Sequence, residues 1–173
     1  MLNVWLLFVI AVVSIKGIEV IFERIEQLSG FDMFHHTLRV RKYNATTSVL
    51  NGSLASCISL NNSYQISTIF FHSSLGNQQF NYYPIKYPPG PLCVSRDLLY
   101  NEFRKSFTNV YNLPEKGVCP IEPREIYFLD KIFPTEVVPT FVSVGLWKVF
   151  IIVTLDNVEV SRFVLICKVN KYF

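Results

Sequence analysis

Apolar residues alternate with polar ones along most of this chain, and that period of two predicts β-strand. The pattern is clearest near the C-terminus. Trp147, Val149, Ile151, Val153 and Leu155 form one apolar face, and Phe163, Leu165, Cys167 and Val169 form another beyond an Asp156-Asn157 turn. These two runs predict a hairpin at the core of the fold. Thr37 to Tyr43 alternates as well, with Leu38 and Val40 against Arg39 and Arg41, as a half-buried strand would. Tyr64 to Phe71 starts with alternation and becomes apolar on both faces, the mark of a central strand. Gln79 to Tyr87 is a strand rich in Phe and Tyr, which Pro84 assigns in part to an edge. Ile18 to Leu28 reads as strand because β-branched residues and Phe dominate its start. His35-His36, before the Thr37 strand, reads as a solvated turn. Between Thr46 and Leu60 two readings stay open: a hairpin turning at Asn51-Gly52, or one strand with a bulge at Gly52.

One stretch departs from this period. Between Cys93 and Cys119, Leu99, Phe103, Phe107 and Val110 recur at helical spacing, with Ser95 placed as an N-cap. A bridge between the two cysteines would clamp this helix over the end of a β-sandwich. A closed loop of that size stabilises by roughly 3.5 kcal/mol on the chain-entropy model. Tyr87 to Pro91 reads as a stiff connector into the helix, and prolines 120, 123, 134 and 139 break the chain beyond Cys119 into short extended pieces. About seven to nine strands with regular turn signals predict an all-β fold, an immunoglobulin-like two-sheet sandwich with one short helix between Cys93 and Cys119.

Composition narrows the function classes. Half of the 173 residues are hydrophobic and 15% are aromatic, ample material for a core. The net charge of +3 is scattered, and the basic run Arg39 to Lys42 alternates with apolar Val40, so nucleic acid is a poor partner. The first seventeen residues, MLNVWLLFVIAVVSIKG, are apolar but short for a membrane span. They read as a secretory signal peptide, leaving Ile18 to Phe173 as one domain with an extracellular address. Asn44, Asn51 and Asn61 each open a glycosylation sequon, which fits that compartment. Four cysteines, an even count, allow three disulfide connectivities. No Cys-x-x-Cys spacing accompanies His35, His36 or His72, so neither a metal nor another cofactor is expected. An enzyme is not expected either. No nucleophile elbow is present, and His72-Ser73-Ser74 sits on a strand where neighbouring side chains face opposite ways.

The order Leu92-Cys93, an amphipathic helix, Cys119-Pro120-Ile121, an extended segment with Tyr127, then Gly145-Leu146-Trp147 and Cys167 resembles the ML domain, the MD-2-related lipid-recognition domain. That family includes the lysosomal ganglioside activator. Arg41-Lys42-Tyr43-Asn44, Leu50-Asn51-Gly52 and Gly76-Asn77-Gln78-Gln79-Phe80 are similar to secreted insect chemosensory proteins of the CheA and CheB type. Together the matches run over nearly all of the chain beyond the leader. Two departures stand out. Pro123-Arg124-Glu125 occupies a place where the family usually has a glycine, and no cysteine lies near Ile18 to bond to the last strand. The resemblance then implies a pairing of Cys57 with Cys167.

It also implies a two-sheet cup, splayed at one end, that carries a lipid or other hydrophobic small molecule without catalysing a reaction. Presentation of that cargo to a membrane receptor in a chemosensory setting would follow. A buried sixteen-carbon chain gains roughly 13 kcal/mol gross at about 0.8 kcal/mol per methylene. The cavity candidates are Phe103 and Phe107 on the helix and Trp147, Val149, Ile151 and Val153 on the central strand. The competing reading is a secreted sandwich with a filled core that acts through protein–protein contacts.

Overall fold

The computed structural model describes residues 17–102, 104–139 and 141–172. The leader reading therefore lies outside the described residues, apart from Gly17, and so does Phe103.

Two antiparallel sheets form an all-β sandwich. The first contains β1 (Gly17–Ser29), β5 (Tyr64–Ser73), β6 (Asn81–Pro91), β9 (Gly145–Leu155) and β10 (Val158–Tyr172), in the order β1-β10-β9-β5-β6. The second runs β2-β4-β8-β7, from β2 (Phe34–His36), β4 (Ser48–Ser56), β7 (Val110–Tyr111) and β8 (Arg124–Lys131), with β3 (Arg39–Lys42) beside β2 on the same edge of β4. The C-terminal hairpin forms as the alternation predicts. Leu155 pairs with Val158 across a two-residue loop whose Asp156 and Asn157 both take positive φ, 51° and 64°. Such loops match the twist of the strands they join. β6 is an edge strand, as Pro84 predicts, but it continues to Pro91 and absorbs the expected connector through two register shifts against β5.

The open choice at Gly52 resolves to one unbroken strand. β4 keeps a single register against both β2 and β3, and the irregularity lies in its other neighbour. There Leu50 faces Lys131 and Gly52 faces Phe128, so the extra residue belongs to β8, where Asp130 has φ 49°. Gly52 is needed for a different reason. A Cβ on it would lie 2.4 Å from the Thr37 carbonyl oxygen, where β2 gives way to β3. His35 and His36 belong to β2 rather than to a turn, and the His36 ring packs 5.9 Å from Phe163.

The helical segment is shorter than the apolar spacing suggests. α1 spans Leu92–Glu102, a 3₁₀ turn covers Arg104–Phe107, and Val110 already lies in β7. Ser95 does not cap α1 but sits buried in its first turn, and the Cys93 N–H is satisfied by the Asn62 side chain at 3.1 Å. The predicted clamp is present: Cys93 and Cys119 form a disulfide with Cα atoms 6.1 Å apart. Two further ties join α1 to the segment before Cys119. Asp97 accepts the Gly117 N–H at 3.1 Å, and Arg96 donates to the Val118 carbonyl at 3.0 Å.

Between the sheets the buried residues divide into two clusters. Val20, Phe22, Leu38, Leu50, Trp147, Cys167 and Val169 form one. Met33, Phe34, Leu60, Cys93, Ile121, Val153 and Phe163 form the other, which contains the disulfide that anchors the helix.

Candidate functional site

A cavity of about 550 Å³ opens between the sheets and draws its wall from members of both clusters. The volume falls within the roughly 300–1,000 Å³ of small-molecule sites. One wall comes from the first sheet, with Ile66, Phe70, Ile151, Val153 and Phe163 on its inward face. The other comes from the second sheet, with Leu50, Leu54, Ile126 and Phe128. Leu92 and Leu99 of α1, together with Phe107, close one side. The accessible surface inside is almost entirely hydrocarbon. Alternation explains the placement: Ile126 and Phe128 turn inward while Glu125 and Tyr127 between them face solvent.

Of the residues singled out from the sequence, Phe107, Ile151 and Val153 line this cavity. Trp147 and Val149 share the inward face of β9 but are not part of the wall. Trp147 is packed into the other cluster, stacked on His72 with centroids 4.5 Å apart and edge-on to Tyr83 at 4.7 Å. Its indole N–H donates to the Ser143 carbonyl at 2.9 Å. That sets Trp147 as a packing residue and corrects its assignment to the cavity. Val149 lies across from Phe70 and Leu165, on the part of β9 that precedes the lined stretch at Ile151 and Val153.

The expected Cys57–Cys167 bridge is not formed, and both thiols are free. The reason is position. Cys167 lies inside the sandwich beside Trp147, whereas Cys57 follows β4, is exposed, and is held by its N–H to the Met33 carbonyl at 2.9 Å, next to the other cluster. Burial pushes the Cys167 thiol up to about 12, and the Glu23 carboxylate adds to the shift. Burial also pulls the Lys131 ammonium below its usual range, partly opposed by the Glu136 carboxylate. On the outer face, Glu125 is held below the usual carboxylate range by hydrogen bonds from Ser53 and then Tyr127.

Six polar wall residues were not anticipated from the sequence: Ser56, Ser67, Thr68, Ser95, Arg96 and Arg124. Arg96 lies against Asp97, which accepts from its Nε at 2.9 Å and its Nη2 at 2.6 Å. Its Nη1 is buried with no hydrogen-bond partner among the described residues, and the same holds for Nε of Arg124 and Oγ1 of Thr68. Arg124 forms no ion pair among the described residues. A buried polar group left unpaired costs about 1–3 kcal/mol, and more when it is charged. Only the alternation within β8 could have placed Arg124 inside, since it shares parity with Ile126 and Phe128.

His72 and Ser73 do not form a catalytic pair. The His72 Nε2 lies 2.9 Å from the Val144 carbonyl oxygen, while the Ser73 hydroxyl donates to Asn77 at 3.2 Å. Among the described residues no group of three or more His, Cys, Asp or Glu could hold a metal ion, and no helix is long and apolar enough to cross a membrane. No protein-family model matches the chain, and no curated protein matches it.

Proposed function

We propose that this protein is a non-enzymatic binding protein that holds a lipid or other hydrophobic small molecule between its two sheets. The observation that supports this reading is the cavity of about 550 Å³ with a hydrocarbon interior. An evacuated apolar space that large is unfavourable on its own. A hydrocarbon-lined space of this size gains by exchanging contact with water for contact with an apolar ligand, about 25 cal/mol per Å² of apolar surface covered. The same feature supports a carrier over a filled core working through surface contacts, because a filled core would leave no such space.

The remaining parts of the proposal follow from the chain's address. The Cys93–Cys119 disulfide is of the kind that persists in oxidising compartments, which supports secretion as an extracellular glycoprotein. The resemblance to the ML domain and to insect chemosensory proteins points to delivery of the cargo to a membrane receptor. The helix offers a surface for such an encounter. Val94, Leu98 and Leu99 are exposed along α1, next to the residues that close the cavity.

The test is retention and displacement. Protein purified without detergent should release an apolar compound on solvent extraction, identified by mass spectrometry. The stripped protein should take up a fluorescent fatty-acid analogue that unlabelled lipid displaces. Stripped protein that binds no apolar probe, and yields nothing on extraction, would rule out the carrier.

A further inference from the structure

Two arginines are set into the otherwise largely apolar cavity wall, one at the start of β8 and one early in α1. Arg124 begins β8 on the inward side of the strand and forms no ion pair among the described residues, and its Nε is buried without a partner. Arg96 is held by Asp97 and the Val118 carbonyl through Nε and Nη2, an arrangement that leaves Nη1 buried and unpartnered. Thr68 adds a third orphaned polar atom, Oγ1, from the facing sheet. A purely hydrocarbon cargo would leave all three unsatisfied. An anionic oxygen group is the partner that suits the two guanidinium groups, because a guanidinium forms its strongest hydrogen bonds with carboxylate or phosphate.

We propose that the cargo is an amphiphile, a long apolar chain ending in an anionic oxygen head, with the head at Arg124 and Arg96 and the tail along the inward face of β4 and β8. This rests on the carrier reading and narrows it. The direction of the tail follows from the register. Arg124 faces Ser56, and Ile126 faces Leu54, Phe128 faces Gly52, and Leu50 ends the row. From Ser56 to Leu50 is six residue-to-residue steps of strand, roughly 20 Å at 3.3–3.4 Å per step, the span of a long-chain fatty acid rather than a short one. Both arginines line the cavity, and each carries one buried nitrogen without a partner, Nη1 of Arg96 and Nε of Arg124.

The experiment compares ligands of one chain length that differ only in the head: palmitate, hexadecyl phosphate, hexadecanol and hexadecylammonium, each displacing a neutral fluorescent probe from the full secreted chain. Inorganic phosphate is added as a head without a tail. The expected result is that palmitate or hexadecyl phosphate binds at least about tenfold more tightly than hexadecanol, the worth of a charge-assisted hydrogen bond. Hexadecylammonium should bind most weakly, and inorganic phosphate should displace nothing. In Arg124→Gln the ratio of acid to alcohol affinity should fall severalfold, and Arg124→Lys should restore part of it. Acid and alcohol binding equally well would overturn the head-group inference and leave the carrier standing. Displacement by inorganic phosphate alone would replace it with a free-anion site. Failure of every probe to bind would remove the carrier and this inference with it. The wild-type ratio is itself decisive, so the inference does not depend on the folding of any variant.

Discussion

Asn51 and Asp130 face each other across the β4–β8 ladder and exchange two hydrogen bonds. The Asn51 Nδ2 donates to Asp130 Oδ1 at 2.8 Å, and the Asp130 N–H donates to Asn51 Oδ1 at 3.0 Å. This pair holds the extra residue of β8 in its left-handed conformation, and with it the inward turn of Lys131 beyond. It also commits the one nitrogen that a glycan on Asn51 would use.

Glycan is therefore expected at Asn44 and Asn61 in preference to Asn51. Both are exposed, and in each the side-chain oxygen, not the nitrogen, is engaged, by Thr46 and Thr47 around Asn44 and by Ser63 beside Asn61. Mass spectrometry of glycopeptides from protein expressed through a secretory pathway reads the occupancy at each site. Predominant modification at Asn51 would show that the Asp130 pair is dispensable.

Removing that pair should be felt in stability. Asn51→Ala leaves the Asp130 N–H and carboxylate without their partner, at a cost of about 1–2 kcal/mol for half-exposed groups. Asn44→Ala, in an exposed turn, should cost less. Denaturant midpoints for the two variants give the comparison directly.

Phe107 stacks on Tyr100 at 4.9 Å on one side and faces the cavity on the other. Phe107→Ala should cost distinctly less than the roughly 3–5 kcal/mol of a fully packed aromatic truncation, while affinity for an apolar ligand drops severalfold. Phe22, buried against Phe133 at 5.1 Å and outside the cavity wall, is the contrast. Its truncation should approach the full core cost. Equal losses at the two positions would mean that Phe107 packs against protein and not ligand.

The two free thiols should differ sharply in reactivity. Exposed Cys57 should be alkylated in the native protein at mildly alkaline pH, whereas Cys167 should resist until the protein unfolds. The raised thiol pKa also sets a pH dependence. Below its usual value near 9 the Cys167 thiol is neutral in both states and its burial is unopposed. Between there and about 12 the unfolded chain ionises first, so stability falls as pH rises across that window. Cys167→Ser should flatten that part of the stability–pH curve.

Selective reduction of the Cys93–Cys119 bridge should destabilise the protein by roughly 3–4 kcal/mol on the chain-entropy model. The effect on binding should be larger than on the sheets. Among the described residues α1 then keeps the Asp97 and Arg96 hydrogen bonds to the segment before Cys119, and both Leu92 and Leu99 belong to the cavity wall. Retained ligand affinity after reduction would show that the helix is not needed to close the site.

How much of this was written in the sequence depends on whether a feature is local. The alternation of Trp147 to Leu155 and Phe163 to Val169 carries its own period, and the Asp156-Asn157 pair carries the positive φ its turn requires, so the hairpin was legible. The disulfide was legible too, because two cysteines that bracket the chain's helical pattern read as a clamp on it. The helix boundary was less so: Val110 keeps the helical spacing, yet β8 offers it a strand partner at Phe128 and pairing prevails. The site was legible only in part. Trp147 and Val153 share one face of one strand, but Trp147 meets His72, Tyr83 and Cys167 while Val153 faces open space. Parity along a strand says which side a residue takes, and nothing about how far the opposite sheet stands from it. That distance is set by strands remote in sequence. The same holds for Arg124, whose charge suggests solvent, but whose pairing with Ser56 and register with Ile126 and Phe128 put it in the cavity wall. Local periodicity determined the strands, and only the packing of one sheet over the other decided which of their inward faces touch protein and which enclose a void.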